Sequence, residues 1–154
     1  MVDALLRRAT VADLAAIEQV VDMAYQKYVA RIGRRPAPMD ADYAAMLGTA
    51  NVWVLSSPAG LHGTLVTHAM GDHLFVETVA VAPNAQRRGY GAMLLARADE
   101  DAYAAGLDEV RLYTNVEMTE NLSFYPRHGY VETRRDRQDG FDRVFFTKSL
   151  PPRS

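Results

Sequence analysis

The feature that most constrains the fold is the segment from Val79 to Gly91, where an apolar run meets a glycine-bearing turn and then an Ala- and Leu-rich stretch. Pro83 ends the apolar run as a strand, because proline has no N–H to give to a β-ladder. The stretch over residues 91–105 favours a helix that stops at Gly106. A strand that leads directly into a helix predicts a domain of mixed α and β structure.

The turn before this predicted helix has the composition of an anion-binding site. The first turn of a helix exposes N–H groups without partners, and the helix dipole adds partial positive charge there. Gly89 and Gly91 let the backbone approach a phosphate closely, and Arg87 and Arg88 can add charge-assisted hydrogen bonds. A dinucleotide fingerprint would need a third glycine where Leu94 stands, and the lysine-ended loop of P-loop NTPases is absent. A plain helix start with solvated arginines stays an alternative.

Apolar periodicity divides the rest of the chain into further elements. Thr10 and Asp13 form a predicted capping box, and apolar residues at spacings of three and four then predict a long helix ending near Gly33. Asp40 is expected to cap a short second helix that runs through Leu47. A short helix is predicted over residues 119–128, and strands are predicted over residues 4–8, 52–55, 61–69, 73–82, 110–114, 130–135 and 143–150. Without a repeat or a linker, residues 1–150 are expected to form one domain and residues 151–154 a frayed tail.

Composition excludes several classes of function. Lys and Arg number 17 against 19 Asp and Glu. Binding to nucleic acid independently of sequence needs an excess of basic residues, and this chain has none. Cysteine is absent, which excludes disulfides, thiolate catalysis and Cys-ligated zinc. His68 and His73 flank a turn without a third ligand, so no metal site is predicted. No stretch approaches the roughly 18 apolar residues of a membrane span, so we expect no membrane partner and a cytoplasmic location.

The sequence Gln86-Arg87-Arg88-Gly89-Tyr90-Gly91, behind the strand Val79-Ala80-Val81, resembles the acetyl-CoA motif of the GNAT superfamily of N-acetyltransferases. A second hallmark is also similar, since three residues separate Phe124-Tyr125 from Gly129-Tyr130. The order of elements resembles that family from Ala4 to Leu150. The resemblance implies an α/β (α+β) fold: one GNAT-like domain whose central twisted mixed sheet has about seven strands, with helices on both faces and splayed parallel central strands. It also implies acetyl-CoA (CoA) as cofactor, and a homodimer is a family-level expectation.

In the resembling family the pantetheine arm of the cofactor lies between the splayed strands and pairs with main chain. The resemblance therefore implies that residues 79–81 pair with the arm and that the N–H of Val79 polarises the thioester carbonyl. Where the family often has Asn and Ala, this chain has Met118 and Asn121, so a contact to the arm is expected from Asn121 or from Asn115. The pyrophosphate would lie on the backbone N–H groups of Gln86, Arg87, Arg88, Gly89, Tyr90, Gly91 and Ala92.

Two side chains are candidates for the chemistry. An amine attacks a thioester only in its neutral form, which costs about 4.6 kcal/mol at pH 7 for an amine of pKa near 10.4. Glu77 is the candidate base, because strand alternation would point its side chain to the same face as that of Val79. Tyr125 resembles the family's general acid for the departing thiolate, and Pro126 directly after it predicts that the helix kinks or stops near Tyr125. The alternatives are a Glu77 that lies on the solvent face or bonds to a cross-strand partner, and a Tyr125 that only packs.

The acceptor side is expected at the first helix pair, which walls the acceptor in the resembling family. Its candidate residues combine aromatic side chains with an arginine, which would suit a small amine that carries a carboxylate or an aromatic group. They are Tyr25, Tyr28, Arg31, Met39 and Tyr43. Core tyrosines and solvated arginines are the alternative. The arginines of the last strand pair, Arg134, Arg135, Arg137 and Arg143, are expected to form a solvated face.

Together these features predict an acetyl-CoA-dependent N-acetyltransferase that moves the acetyl group directly to a primary amine, with a small molecule as the acceptor. Two alternatives stay open. One is a protein acetyltransferase that acts on an N-terminus or a lysine, and the other is a non-catalytic acyl-CoA sensor.

Overall fold

The computed structural model describes residues 4–153, and within that range the chain forms seven strands and four α-helices. The strands are β1 (Leu5–Arg8), β2 (Asn51–Ser57), β3 (Gly60–Ala69), β4 (Leu74–Val81), β5 (Glu109–Asn115), β6 (Val131–Gln138) and β7 (Phe141–Ser149). The helices are α1 (Leu14–Ile32), α2 (Tyr43–Met46), α3 (Tyr90–Ala104) and α4 (Thr119–Phe124). Every element predicted from the sequence is present, with ends that shift by a few residues.

The strands form one sheet in the order β1-β2-β3-β4-β5-β7-β6, in which only β4 and β5 run parallel. The ladder between β4 and β5 joins two residue pairs alone, Leu74 with Val110 and Phe75 with Arg111. Both strands continue past these pairs, to Val81 and Asn115. The two central strands therefore diverge and leave a gap in the sheet, which confirms the expected splay.

A β-bulge in β4 lies at Glu77. Thr67 of β3 pairs with Val76 and the preceding Val66 pairs with Thr78, so Glu77 is an extra residue without a partner in the ladder. The bulge shifts the alternation of the side chains, because Val76 packs with the core cluster under α3 whereas Ala80 packs with the cluster under α1. The expectation that the side chains of Glu77 and Val79 point to one face is therefore wrong.

The two faces of the sheet carry separate hydrophobic cores. Leu94, Leu95 and Ala98 of α3 pack on one face and are fully or almost fully buried. Ile17 and Val21 of α1 pack on the opposite face, with the short helix α2 beside them. Each fully buried Leu or Ile side chain contributes roughly 1.5–3 kcal/mol, so the cores hold the helices and the open sheet together.

The helix ends follow the local sequence with one exception. The capping box of Thr10 and Asp13 forms as predicted, and Gly33 ends α1 in a left-handed conformation at φ 87°. The cap of α2 is Asp42, whose Oδ1 accepts from the Ala45 N–H at 3.1 Å, and not Asp40. Asp40 instead ends a 3-10 turn over residues 37–40 and pairs with Arg35.

Candidate active site

A large cavity of about 680 Å³ opens on one side of the gap between the central strands. Its walls come from α1, from the end of β4, from the turn before α3 and from α4. Predicted cofactor residues that line it are Val79, Ala80, Val81, Gln86, Arg87, Gly89, Tyr90, Gly91, Ala92, Asn121 and Tyr125. Arg88 lies outside the lining, and Asn115 lines a second cavity instead.

The turn before α3 lines this cavity, apart from Arg88, and carries a row of backbone N–H groups without hydrogen-bond partners among the residues that the structure describes. None of the N–H groups of residues 87–92 has a hydrogen-bond acceptor within residues 4–153, and the first bond of the helix runs from Met93 N–H to Gly89 C=O at 3.1 Å. Gly89 at φ 80° and Arg87 at φ 68° both adopt the left-handed conformation that turns the chain here. No side chain caps the helix, so its positive dipole end faces the cavity together with the N–H row.

A second cavity of about 300 Å³ lies on the other side of the gap. Glu77 and Asn115 line it, as does the segment of residues 36–38 between α1 and α2. Four residues line both cavities, and they mark the place where the two meet. They are Tyr25, Val79, Asn121 and Tyr125.

Tyr25 connects α1 to the splayed strand at this junction. Its hydroxyl donates to the carbonyl oxygen of Val79 at 3.0 Å. Burial raises the pKa of Tyr25 well above its usual value, so the phenol stays protonated and keeps this bond. Val79 pairs with Leu65 of β3 on one side, but it lies beyond the last residue pair of β4 with β5, so its other side faces the gap.

Tyr125 stands at the end of α4. The α-helix stops at Phe124 and continues as a 3-10 turn from Pro126 to His128, which confirms that the proline ends the helix at Tyr125. The ring is 6% exposed and packs against Phe124, Tyr130 and Phe146. Burial raises the pKa of Tyr125 above its usual value. Its hydroxyl has no hydrogen-bond partner among residues 4–153, although its side chain lines both cavities.

Glu77 faces the smaller cavity from the bulge. Its Oε1 lies 2.7 Å from Nε2 of His68 on β3, and about a quarter of each side chain is exposed. A bulge residue is free of ladder pairing, so its side chain can be aimed away from the regular strand direction. The bond to His68 fixes that direction.

The predicted acceptor residues separate into two groups. Tyr25 lines both cavities and Tyr28 lines the larger one. Arg31, Met39 and Tyr43 line neither cavity. Arg31 donates to Glu120 of α4 at 2.8 Å, Met39 is buried in the core under α1, and the Tyr43 hydroxyl bonds to the Pro38 carbonyl and to Thr78. These three positions hold the wall together without contacting either cavity.

The two asparagines lie at the junction in different ways. Asn121 lines both cavities and donates through Nδ2 to Thr114 Oγ1 at 3.0 Å, which ties α4 to the end of β5. Asn115 lines the smaller cavity, and its Oδ1 accepts the N–H of Glu117 at 2.9 Å.

Sequence reasoning missed much of the smaller cavity. Phe75, Tyr113 and Phe141 supply aromatic walls, and Arg143 lies among them at 8% exposure. The interpretation of Arg143 as part of a solvated face is therefore wrong, whereas Arg134 and Arg135 are exposed. The available signal was strand alternation, because Tyr113 and Asn115 share a face of β5 and Arg143 pairs with Asn115.

The segment between α1 and α2 lies along one side of the smaller cavity, where residues 36–38 line it. Arg34 donates through Nη1 to the Asp139 carbonyl at 3.1 Å, and its guanidinium lies 3.9 Å from the ring centre of Phe141. These contacts join the segment to the turn between β6 and β7. Residues 36–38 of the segment therefore form part of the wall of the smaller cavity, which stays partly open to solvent.

Neither a membrane-spanning helix nor a metal centre is found in the part of the chain that the structure describes. No helix within residues 4–153 is long and apolar enough to cross a bilayer. Within the same range, no three His, Cys, Asp or Glu side chains are grouped to hold a metal ion.

Comparison with known proteins gives one family match and many structural matches. The model of the family described as "Acetyltransferase (GNAT) domain" matches residues 48–132, more than half of the chain. No curated protein sequence matches this chain.

Solved structures share the fold at low sequence identity. A PaiA N-acetyltransferase from Thermoplasma acidophilum, in complex with coenzyme A, has a TM-score of 0.79 at 16% identity and covers 96% of this chain and 99% of its own. The ribosomal-protein-S18-alanine N-acetyltransferase from Escherichia coli has a TM-score of 0.78 at 17% identity over 98% and 96%. A GNAT family acetyltransferase from Elizabethkingia anophelis with acetyl-CoA bound has a TM-score of 0.69 at 14% identity over 96% and 99%.

Proposed function

This chain belongs to the GNAT acetyltransferase family, and we propose that it transfers the acetyl group of acetyl-CoA directly to the primary amine of a small molecule held in the smaller cavity. The observation that carries the proposal is the meeting of two cavities at Tyr25, Val79, Asn121 and Tyr125. One cavity has a row of N–H groups suited to an anion, and the other is a partly open pocket with aromatic walls and a carboxylate. Two substrates can therefore lie in the two cavities with their reacting ends in contact at the junction.

The larger cavity suits acetyl-CoA, which supplies an acetyl thioester at the end of a long arm behind a pyrophosphate. The N–H groups of residues 87–92 would bind the pyrophosphate oxygens, and the dipole of α3 favours their negative charge. Arg87 lines the cavity and can add a charge-assisted bond. Structural relatives that hold coenzyme A or acetyl-CoA support this fit.

The main chain of Val79 would bind the acetyl end. In an extended strand the N–H and the C=O of one residue point to the same edge. The Val79 carbonyl accepts from Tyr25 at the gap, which supports an N–H directed into the gap as well. That N–H could donate to the thioester carbonyl oxygen and stabilise the charge that develops there.

Tyr125 and Glu77 would move the protons. Glu77 takes one proton from the ammonium, a bond forms between the amine nitrogen and the acetyl carbon, and the bond from that carbon to sulfur breaks. Tyr125 donates its proton to the departing sulfur and is restored by the second proton of the amine. Burial raises the pKa of the Tyr125 hydroxyl, so it is protonated in the resting site and is a weaker acid than a free phenol, and uptake of the second amine proton is what completes its transfer to sulfur.

The small volume of the smaller cavity and its partial cover by residues 36–38 favour a small molecule over a protein as the acceptor. A peptide would need a groove that runs across the sheet, and the Arg34 contacts to Asp139 and Phe141 bridge the chain on that side. A volume of about 300 Å³ is at the lower end for ligand pockets. The Escherichia coli structural relative is named for a protein substrate, so the fold itself does not decide the acceptor.

Thiol release from acetyl-CoA across a panel of amines and peptides tests the proposal. We expect release that depends on a small primary amine and stays at background with peptides of ten or more residues. Release with peptides alone would favour a protein acetyltransferase. Calorimetric binding of acetyl-CoA without release by any acceptor would favour a sensor.

A further inference from the structure

We infer that the smaller cavity takes amines that also carry a carboxylate, and that Arg143 is the residue that selects them. The inference rests on the proposed function, because it names the class of acceptor. Arg143 lies on β7 opposite Asn115 and lines the cavity. Its guanidinium lies 4.2 Å from the ring centre of Tyr113 and 5.6 Å from that of Phe141, so aromatic rings hold its plane in position.

One edge of the Arg143 guanidinium has no protein partner in the described chain. Both of its polar contacts use Nη1, which donates to Gln138 Oε1 at 3.1 Å and lies 3.6 Å from Asp139 Oδ2. Neither Nε nor Nη2 has a hydrogen-bond acceptor within residues 4–153. Asp139 is 82% exposed, so water screens its charge and it compensates the buried cation weakly.

The edge formed by Nε and Nη2 matches the two oxygens of a carboxylate. Arginine binds carboxylates through two parallel N–H···O bonds, and this planar edge provides both donors at a fixed spacing. A buried guanidinium without a buried anion is costly, so a ligand carboxylate would restore the balance of charge. An amine without a carboxylate would leave the buried guanidinium of Arg143 without a buried anion.

The rest of the cavity fits the other parts of such a molecule. Glu77 lines the same cavity from β4 and offers a negative charge to an ammonium. Phe75, Tyr113 and Phe141 give the same cavity apolar walls. The cavity therefore offers opposite charges and an apolar surface to one small zwitterion with an apolar or aromatic body.

Matched substrate pairs that differ only by the carboxylate test the inference. Suitable pairs are phenylalanine with phenethylamine, leucine with isopentylamine, and 4-aminobutyrate with propylamine, in which the two charged groups stand further apart. In the thiol-release assay we expect the wild type to prefer the carboxylate member of at least one pair by tenfold or more in kcat/KM. Arg143→Gln should lower kcat/KM for that member roughly 10- to 100-fold, mainly through KM, and change its partner less than about threefold.

Two further variants separate selection from a structural role. Arg134→Gln removes another arginine of the same strand pair, one that stacks on Phe145 outside the cavity, and should leave both members of every pair unchanged. Arg143→Lys keeps the charge without the two-donor edge and should fall between the wild type and Arg143→Gln. An equal loss for both members of a pair in Arg143→Gln would show that the arginine only supports the fold, and the inference would be wrong.

A failure of the proposed function looks different from a failure of this inference. Release with plain amines and no preference for carboxylates keeps the function and overturns the inference. If no acceptor gives release, calorimetry with phenylalanine and with phenethylamine still tests the site. Binding of phenylalanine that is lost in Arg143→Gln supports the carboxylate site, and equal or absent binding of both compounds overturns it.

Discussion

Replacing Gly89 by alanine should weaken acetyl-CoA binding by much more than a matched change at Gly33, although both changes should destabilise the fold equally. Gly89 has φ 80° and Gly33 has φ 87°, and an added Cβ would meet no atom within 4 Å at either site. The cost is therefore that of an L side chain in the left-handed conformation, about 1–2 kcal/mol. For a chain of this length each change should lower Tm by roughly 2–8 °C.

The binding effect separates the two glycines because of where they lie. Gly89 is inside the row of N–H groups that lines the larger cavity, whereas Gly33 ends α1 away from both cavities. Alanine relieves its strain by moving φ toward negative values, which rotates the neighbouring N–H groups away from a bound anion. The loss of one charge-assisted bond is worth about 1.5–3 kcal/mol, which is roughly a 10- to 150-fold rise in Kd.

Calorimetric titration with acetyl-CoA and thermal unfolding of both variants measure these two quantities separately. Gly33→Ala should bind like the wild type despite its lower Tm. Equal Kd values for the two variants would refute the reasoning, because the conformation of Gly89 would then have no connection with the anion site.

Three further predictions follow from the site and from the first turn of the fold. Tyr125→Phe should lower kcat roughly 100-fold with Tm and the Kd of acetyl-CoA unchanged, since the hydroxyl bonds to none of residues 4–153; full turnover would exclude the acid role. Glu77→Gln should lower kcat/KM by a similar factor at pH 7. The rate of this variant should keep rising with pH up to the pKa of the amine, about 10. A pH profile like that of the wild type would exclude the base role. The Arg7 guanidinium lowers the pKa of the buried Asp13 to about 2 from 3.8. The pair therefore stabilises the fold fully above pH 4, and this stabilisation is lost as the pH falls through the folded pKa. Asp13→Asn should lower the free energy of unfolding by about 1–2 kcal/mol at pH 7 and by less than about 0.5 kcal/mol at pH 2; a difference of the same size at both pH values in urea titrations would contradict this.

Local sequence signals predicted the elements and failed where one residue changes the register. Apolar spacing and Gly33 determine α1, and Pro126 determines the end of α4, because both effects act within a few residues. The bulge at Glu77 depends on how β4 pairs with β3, and nothing in the sequence of β4 marks the extra residue. Simple strand alternation therefore gave the wrong face for the Glu77 side chain. The residue nevertheless lines the smaller cavity.

The two cavities also differ in how far local sequence could predict them. The row of N–H groups proposed to bind the pyrophosphate is one continuous segment, residues 87–92, so its backbone arrangement follows from the glycines and the helix start. The smaller cavity combines side chains from β4, β5 and β7, which are distant in sequence. Arg143 is one of several arginines in the last strand pair, and the sequence does not distinguish it from the exposed Arg134 and Arg135. It is buried because it lies over Tyr113.

The most direct test of the central claim is the amide NMR spectrum of ¹⁵N-labelled enzyme titrated with coenzyme A and, separately, with pantetheine, which lacks the pyrophosphate. If the N–H row at the start of α3 binds the pyrophosphate, coenzyme A should move the amide protons of residues 87–92 downfield and pantetheine should leave them in place. Saturation with coenzyme A while these six amides stay unshifted would contradict the claim.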